Sequence, residues 1–177
     1  MKNDVAQYQQ WIVQAAQALG VPAELALRVA RQESGVQHYW ASGPKSGQLK
    51  MSPKGAIGVM QVMPSNAAGF DLRDPYGNIQ AGVRYLAAML RQFGGNQALA
   101  VEAYNCGPSC AASGKLPAET RAYVAAVLPS GGSAGYSQVA NAGMDTGTAG
   151  MDTRGPEVSG AVWAALGAGA AIVALLA

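Results

Sequence analysis

The sequence predicts an all-α domain over residues 1–128, a linker over 129–157 and one transmembrane helix over 158–177. Three observations carry this prediction. Apolar residues recur at helical spacing in successive segments before Pro129. No segment alternates apolar and polar residues long enough to build a sheet, although a small hairpin fits inside 42–60. Composition then shifts at Pro129 to Gly, Ser, Ala and Thr, and from Val158 onward no charged residue occurs.

Val5, Tyr8, Ile12, Ala15, Ala16 and Leu19 mark a first helix, with Asn3 or Asp4 as cap and Gly20 as stop. A second runs from Pro22 to Glu33. Residues 34–57 hold Gly35, Gly43, Pro44, Gly47, Pro53 and Gly55, which is loop chemistry. His38 falls in this stretch and reads as an exposed loop residue. Ile79, Val83, Leu86, Leu90 and Phe93 mark a third helix, begun near Asn78 and ended by Gly94-Gly95. Leu99–Tyr104 continues as a short helix, and a last one runs from about Pro117 to Leu128.

In the linker, Ala142-Gly-Met-Asp-Thr recurs at Ala149, a period of seven whose glycines argue against a helix. The uncharged residues 158–177, at about 1.5 Å each, reach about 30 Å, the thickness of a bilayer core. Trp163 suits an interfacial position, and small residues at Ala161, Ala165 and Gly169 offer a face for close helix packing. The alternative is a helix buried against a partner protein.

One residue departs from the helical pattern. With about 100° per residue and Leu25 at zero, Val29 falls near 40°, Ala26 near 100° and Glu33 near 80°. Glu33 therefore lies inside the apolar arc, while Glu24, Arg28 and Arg31 lie opposite. A carboxyl facing a core is costly to ionise, so its pKa rises, which suits a general acid near neutral pH. The plainer reading is a last-turn Glu already turned to solvent.

Bulk properties exclude several classes. Net charge is +2 with no basic run, so nothing supports a nucleic-acid partner. Cys106 and Cys110 stand four apart with no His or Cys pair nearby, so no metal site is implied. They read as a local disulfide or as two small thiols. No nucleotide loop or cofactor motif occurs. The polar N-terminus lacks the apolar core of a cleaved leader, so export by that route is not expected.

Further motifs accompany Glu33 in order. Ser34 follows it; Gly58-Val59-Met60-Gln61 precedes Met63-Pro64; Asn78-Ile79, Gly82 and Tyr85-Leu86 share a helix. Ala103-Tyr104-Asn105 precedes Gly107, and Glu119-Thr120-Arg121 precedes Tyr123-Val124. Singly each is weak. Together, over about residues 5–128, they resemble the lytic transglycosylases of the soluble, goose-type lysozyme-like superfamily.

The resemblance implies a lysozyme-like fold and a peptidoglycan substrate. It implies Glu33 as the one catalytic group, acid toward the MurNAc–GlcNAc oxygen and then base toward the sugar's 6-hydroxyl, leaving a 1,6-anhydromuramyl end. Ser34 would orient Glu33 or bind the N-acetyl group. Met60 and Gln61 would line the groove, Tyr104 and Asn105 would hold Glu33 and substrate, and Tyr123 would close the site. By spacing alone Met60 and Tyr123 read equally as packing residues. Other carboxylates fit poorly: Asp71 and Asp74 belong to a turn, and Glu102 shares no face with Tyr104.

The chain departs from that family in two places. Gln61 follows Glu33 by 28 positions (61 − 33), longer than in compact members, with the extra residues around 38–54. Cys106 stands where Ala is usual, and a bridge to Cys110 would stiffen the loop presenting Asn105. The layout of enzyme, linker and anchor resembles wall-piercing transglycosylases of phages with an internal membrane. That implies a virion membrane location, with a bacterial cell envelope as the alternative, and virion or envelope proteins as further partners. A water-using hydrolase of the same fold and an inactive wall-binding component are the competing functions.

Overall fold

The computed structural model describes residues 2–128. The linker and membrane anchor expected over 129–177 lie outside the described residues. Among those described, no helix is long and apolar enough to cross a membrane.

Helix α1 spans Val5–Ala18 and α2 spans Ala23–Ser34. Asp4 caps α1 by accepting from the Gln7 amide at 3.0 Å. Asn3, the other candidate cap, instead accepts from the His38 and Tyr39 amides at 2.8 and 2.9 Å. Gly35 ends α2 at φ 70°, a left-handed conformation glycine adopts without a Cβ penalty. Glu24 pairs with Arg28 and Arg31 on the solvent face, contributing little to stability.

Helix α3 spans Pro75–Gln92, starting three residues earlier than the apolar periodicity suggests. The signal is Asp74-Pro75: the Asp74 carboxylate accepts from the Gly77 amide at 2.7 Å, and proline at the first helical position loses no bond. Asn96 caps α4, Gln97–Cys106, accepting from the Leu99 amide at 3.1 Å. A further short helix, α5, covers Pro108–Ser113, between the two helices that the apolar spacing marks. Helix α6 spans Ala118–Val127.

The helices pack α1 on α2 and α3, α3 on α4, α4 on α5 and α6, and α6 back on α2. Ile12, Leu25, Val29, Ile79, Val83 and Leu86 form the centre of the core. The expected hairpin reduces to isolated antiparallel bridges, Tyr39 with Leu49, Met51 with Ile57 and Ile57 with Val62. These tie residues 38–62 into one lobe against α2 and α3.

His38 contradicts its reading as an exposed loop residue. It is fully buried, with Nε2 2.9 Å from the Arg73 carbonyl. Its environment comes from Asn3, Gly58 and Arg73, all remote in sequence, so no local pattern announces it.

Close packing of this lobe rests on two glycines. A Cβ on Gly58, whose φ is +74°, would stand 2.5 Å from the His38 ring and 2.8 Å from Asn78 Nδ2. A Cβ on Gly82 in α3 would overlap the Met60 Cβ and lie 2.6 Å from its Cγ. Gly82→Ala is therefore expected to destabilise by about 1–3 kcal/mol despite alanine's better helix propensity. Denaturant titration checks this; equal or greater stability would contradict the packing described.

Candidate active site

Helix α2 delivers Glu33 in its last turn, on the buried arc its spacing predicts. The side chain is 9% exposed and faces a cleft lined by Gln61, Val62, Met63, Asn66, Tyr85 and Tyr104. With its open mouth the cleft encloses roughly 360 Å³. Glu33 is the carboxylate in that lining.

Tyr123 reaches Glu33 from α6. Its hydroxyl donates to Glu33 Oε1 at 2.6 Å across 90 residues of sequence. Burial pushes the Glu33 carboxyl up to about 8, and the Tyr123 bond pulls part of the way back by favouring the ionised form. No cation pairs with Glu33 among the described residues. Burial, and then the Glu33 charge, hold the Tyr104 and Tyr123 phenols well above their ordinary value, so both remain neutral donors.

The Gly58–Gln61 turn forms the facing wall. Asn78 Oδ1 accepts from the Met60 amide at 2.9 Å, while its Nδ2 donates to the Ile57 carbonyl at 2.7 Å. Gln61 sits at φ 45°, a left-handed conformation that costs a non-glycine residue about 1–3 kcal/mol where it persists. Its side chain supports the turn, donating to the Gly58 carbonyl at 2.8 Å. Tyr104 spans the cleft floor, its hydroxyl donating to the Met60 carbonyl at 2.8 Å and its ring 5.3 Å from Tyr85.

The sequence-predicted residues thus fall into two groups. Glu33, Gln61 and Tyr104 line the cleft, and Tyr123 touches Glu33 from behind. Met60 differs from its expected place: its side chain is fully buried against α3 and is no part of the groove wall. The Ser34 hydroxyl donates to the Val59 carbonyl at 2.7 Å and accepts from the Gln37 amide at 3.0 Å. It therefore ties the turn to α2, and no bond joins it to Glu33 among the described residues. Asn105 is buried with its side-chain oxygen unpartnered among the described residues. Glu102 is buried too, but outside the cleft lining.

Sequence reasoning missed Val62, Met63, Asn66 and Tyr85 as lining residues. Tyr85 carried a signal, since it stands on the helix motif with Gly82. Cys106 and Cys110 form a disulfide, Cα atoms 5.8 Å apart, joining the end of α4 to α5 just beyond Asn105. No group of His, Cys, Asp and Glu among the described residues has the geometry to hold a metal ion.

The buried carboxyl has a thermodynamic signature. Its folded pKa, about 8, exceeds the ordinary 4.5, so between these values the folded state holds a proton the unfolded state has lost. Stability from this group is complete below 4.5 and is lost as pH rises through about 8. Relative to Glu33→Gln, the wild type should match at pH 4 and fall behind by on the order of 4 kcal/mol at pH 9. Urea denaturation across that range measures it; a constant difference would contradict a buried neutral Glu33.

Comparison with known proteins places this geometry. Residues 10–123 match the family model of the transglycosylase SLT domain. The soluble lytic murein transglycosylase of Escherichia coli K12 is 38% identical over 101 residues, 50% of this chain and 14% of that protein. Its Salmonella typhimurium counterpart is 38% identical over 96 residues, 47% of this chain and 13% of that protein. The chain thus matches about a seventh of these relatives' length. Among solved structures, the 70 kDa soluble lytic transglycosylase of E. coli superposes with TM-score 0.56 at 29% identity, over 68% of this chain and 22% of that one. An inactive mutant of lytic transglycosylase Slt from Pseudomonas aeruginosa gives 0.54 at 28% identity, over 66% and 22%. On the family match across most of residues 5–128, with the lysozyme-like helical fold and the Glu33 cleft beside it, the chain belongs to the transglycosylase SLT domain family.

Proposed function

We propose that this chain is a peptidoglycan lytic transglycosylase in which Glu33 serves in turn as acid and base. The observation that carries the reading is a carboxyl held neutral near pH 7 by burial, with no other carboxylate in the cleft lining among the described residues. Two-carboxylate glycosidases flank the scissile bond with an acid and a nucleophile or base. A single buried acid suits a reaction whose nucleophile belongs to the substrate.

In this reading neutral Glu33 donates its proton to the glycosidic oxygen of the MurNAc–GlcNAc bond as the C1–O bond breaks. The Glu33 carboxylate so formed is stabilised by the Tyr123 hydroxyl, 2.6 Å from Oε1. It then accepts the proton of the muramyl 6-hydroxyl as that oxygen closes on C1. The 1,6-anhydro ring forms, Glu33 is neutral again, and no water is consumed. The tethered nucleophile needs no second binding event, which is worth several kcal/mol of barrier in well-oriented systems. Gln61 and Tyr104 shape the wall and floor that hold the sugar; Asn105, the next residue along α4, lies outside that lining with its side-chain oxygen unpartnered among the described residues. Met60 and Ser34 act through the turn they fix.

The setting is proposed on sequence alone. Residues 158–177 would anchor the enzyme in a membrane and 129–157 would give it reach, an arrangement fitting local wall penetration by a phage particle. Detection of the protein in purified particles tests that part separately.

The reaction is tested by mass spectrometry of peptidoglycan digested by the full-length protein. Anhydro ends are expected, with Glu33→Gln reducing their release by at least about 100-fold. Ends 18 Da heavier would mean hydrolysis by water. Undiminished release by Glu33→Gln would remove the carboxyl from the mechanism.

A further inference from the structure

Between Ser34 and Phe70 the chain carries Lys45, Lys50 and Lys54 but no Asp, Glu or Arg. This stretch includes the long connection before Gln61 and supplies Gln61, Val62, Met63 and Asn66 to the cleft wall. The segment that leads into the cleft wall is therefore cationic without internal neutralisation.

Two of these cations converge. Lys50 Nζ lies 4.9 Å from the Trp40 ring centre, and Lys45 Nζ lies 5.9 Å from it. A small loop holds the indole, with the Trp40 amide donating to the Gln48 carbonyl at 2.9 Å and its carbonyl accepting from the Gly47 amide at 2.8 Å. The Lys50 ammonium also donates to the Ser34 carbonyl at 2.7 Å, one residue from Glu33, while its own carbonyl accepts from the Gly58 amide at 2.8 Å. Lys50 is thus bonded to the last residue of α2 and to the Gly58–Gln61 turn, the two segments that carry Glu33 and Gln61 into the cleft.

Neither lysine has a carboxylate partner: the ion pairs among the described residues both involve Glu24. Lys50 is also partly desolvated, and burial lowers its pKa. A half-buried ammonium with one hydrogen-bond acceptor among the described residues retains unused donors and an unbalanced charge. An anion would supply both. Peptidoglycan offers one next to the scissile bond, because its muramyl sugar bears a peptide branch rich in free carboxylates.

We propose that Lys45 and Lys50, seated on Trp40, form a subsite for the carboxylates of the peptide branch carried by the sugar bound beside Glu33. The proposal rests on the transglycosylase reading for its substrate, and adds to it a preference for peptide-bearing over bare glycan. Lys50 orients the branch close to the cleft, and Lys45, more exposed, contributes attraction that salt can screen.

The test is a binding measurement on the full-length Glu33→Gln protein, so that no cleavage intervenes. Soluble glycan strands with intact peptide branches are compared with the same strands stripped of peptide by an amidase. Intact strands should bind about five- to tenfold more tightly at low salt, with the advantage shrinking at high salt. Lys45→Glu should abolish the advantage. Lys50→Gln, which keeps a donor for the Ser34 carbonyl, should reduce it by about threefold. Arg91→Glu, a charge change at the end of α3, should leave it intact. Equal affinity for both strands, or an advantage that survives Lys45→Glu, would overturn the subsite. A wild-type protein that prefers intact strands yet releases no cleaved product would instead sink the catalytic reading and leave the subsite standing.

Discussion

The hydrogen bond from Tyr123 to Glu33 is the contact on which the site depends. It closes the fold, because it joins α6 at the end of the described chain to α2 near its start. It also sets the chemistry. Burial alone would hold Glu33 neutral and make it reluctant to give up its proton. The phenol offsets part of that penalty by donating to the carboxylate, so the group can release a proton and recover one. A surface Glu would be ionised before substrate arrived, and an unassisted buried one would hold its proton too firmly.

The rest of the lobe aims the substrate wall at this carboxyl. Residues 38–62 contain no strand longer than a single bridge, so side chains take the place of a ladder. Asn78 binds the Met60 amide and the Ile57 carbonyl, Ser34 binds the Val59 carbonyl, and Tyr104 binds the Met60 carbonyl. Each of these partners is main chain in or next to the Gly58–Gln61 turn. Gly58 lets His38 and Asn78 pack against it at distances no Cβ permits. The strained Gln61 backbone is over-determined by these bonds, as strain at a functional site must be.

Much of this was legible in the sequence where the pattern is local. Glu33 is displaced from the polar face by simple helical geometry, and its neighbours in the cleft follow recognisable short motifs. The helices were legible to within a turn where apolar periodicity ran through them, and less so where capping decided the boundary, as at Asp74-Pro75. Helix α5 escapes periodicity because it has only six residues, too few for an apolar face to repeat. His38 departs from its exposed-loop reading, and Met60 follows its packing reading and not its groove one, for a different reason. Their side chains are packed by residues 20 to 35 positions away, Gly58 and Arg73 at His38 and Gly82 at Met60, and periodicity carries no information about such contacts. The Tyr123 bond to Glu33 is likewise invisible to spacing and emerges only from the packing of α6 on α2.

The central claim is that Glu33 is a neutral acid at physiological pH with a phenol placed to receive its charge. The most direct measurement is a carbon-13 NMR titration of the Glu33 side-chain carboxyl in the full-length protein, assigned with Glu33→Gln. The account predicts a midpoint near 8, moving further upward in Tyr123→Phe because the bond favouring the carboxylate is gone. A midpoint near the ordinary 4.5, unmoved by Tyr123→Phe, would contradict it.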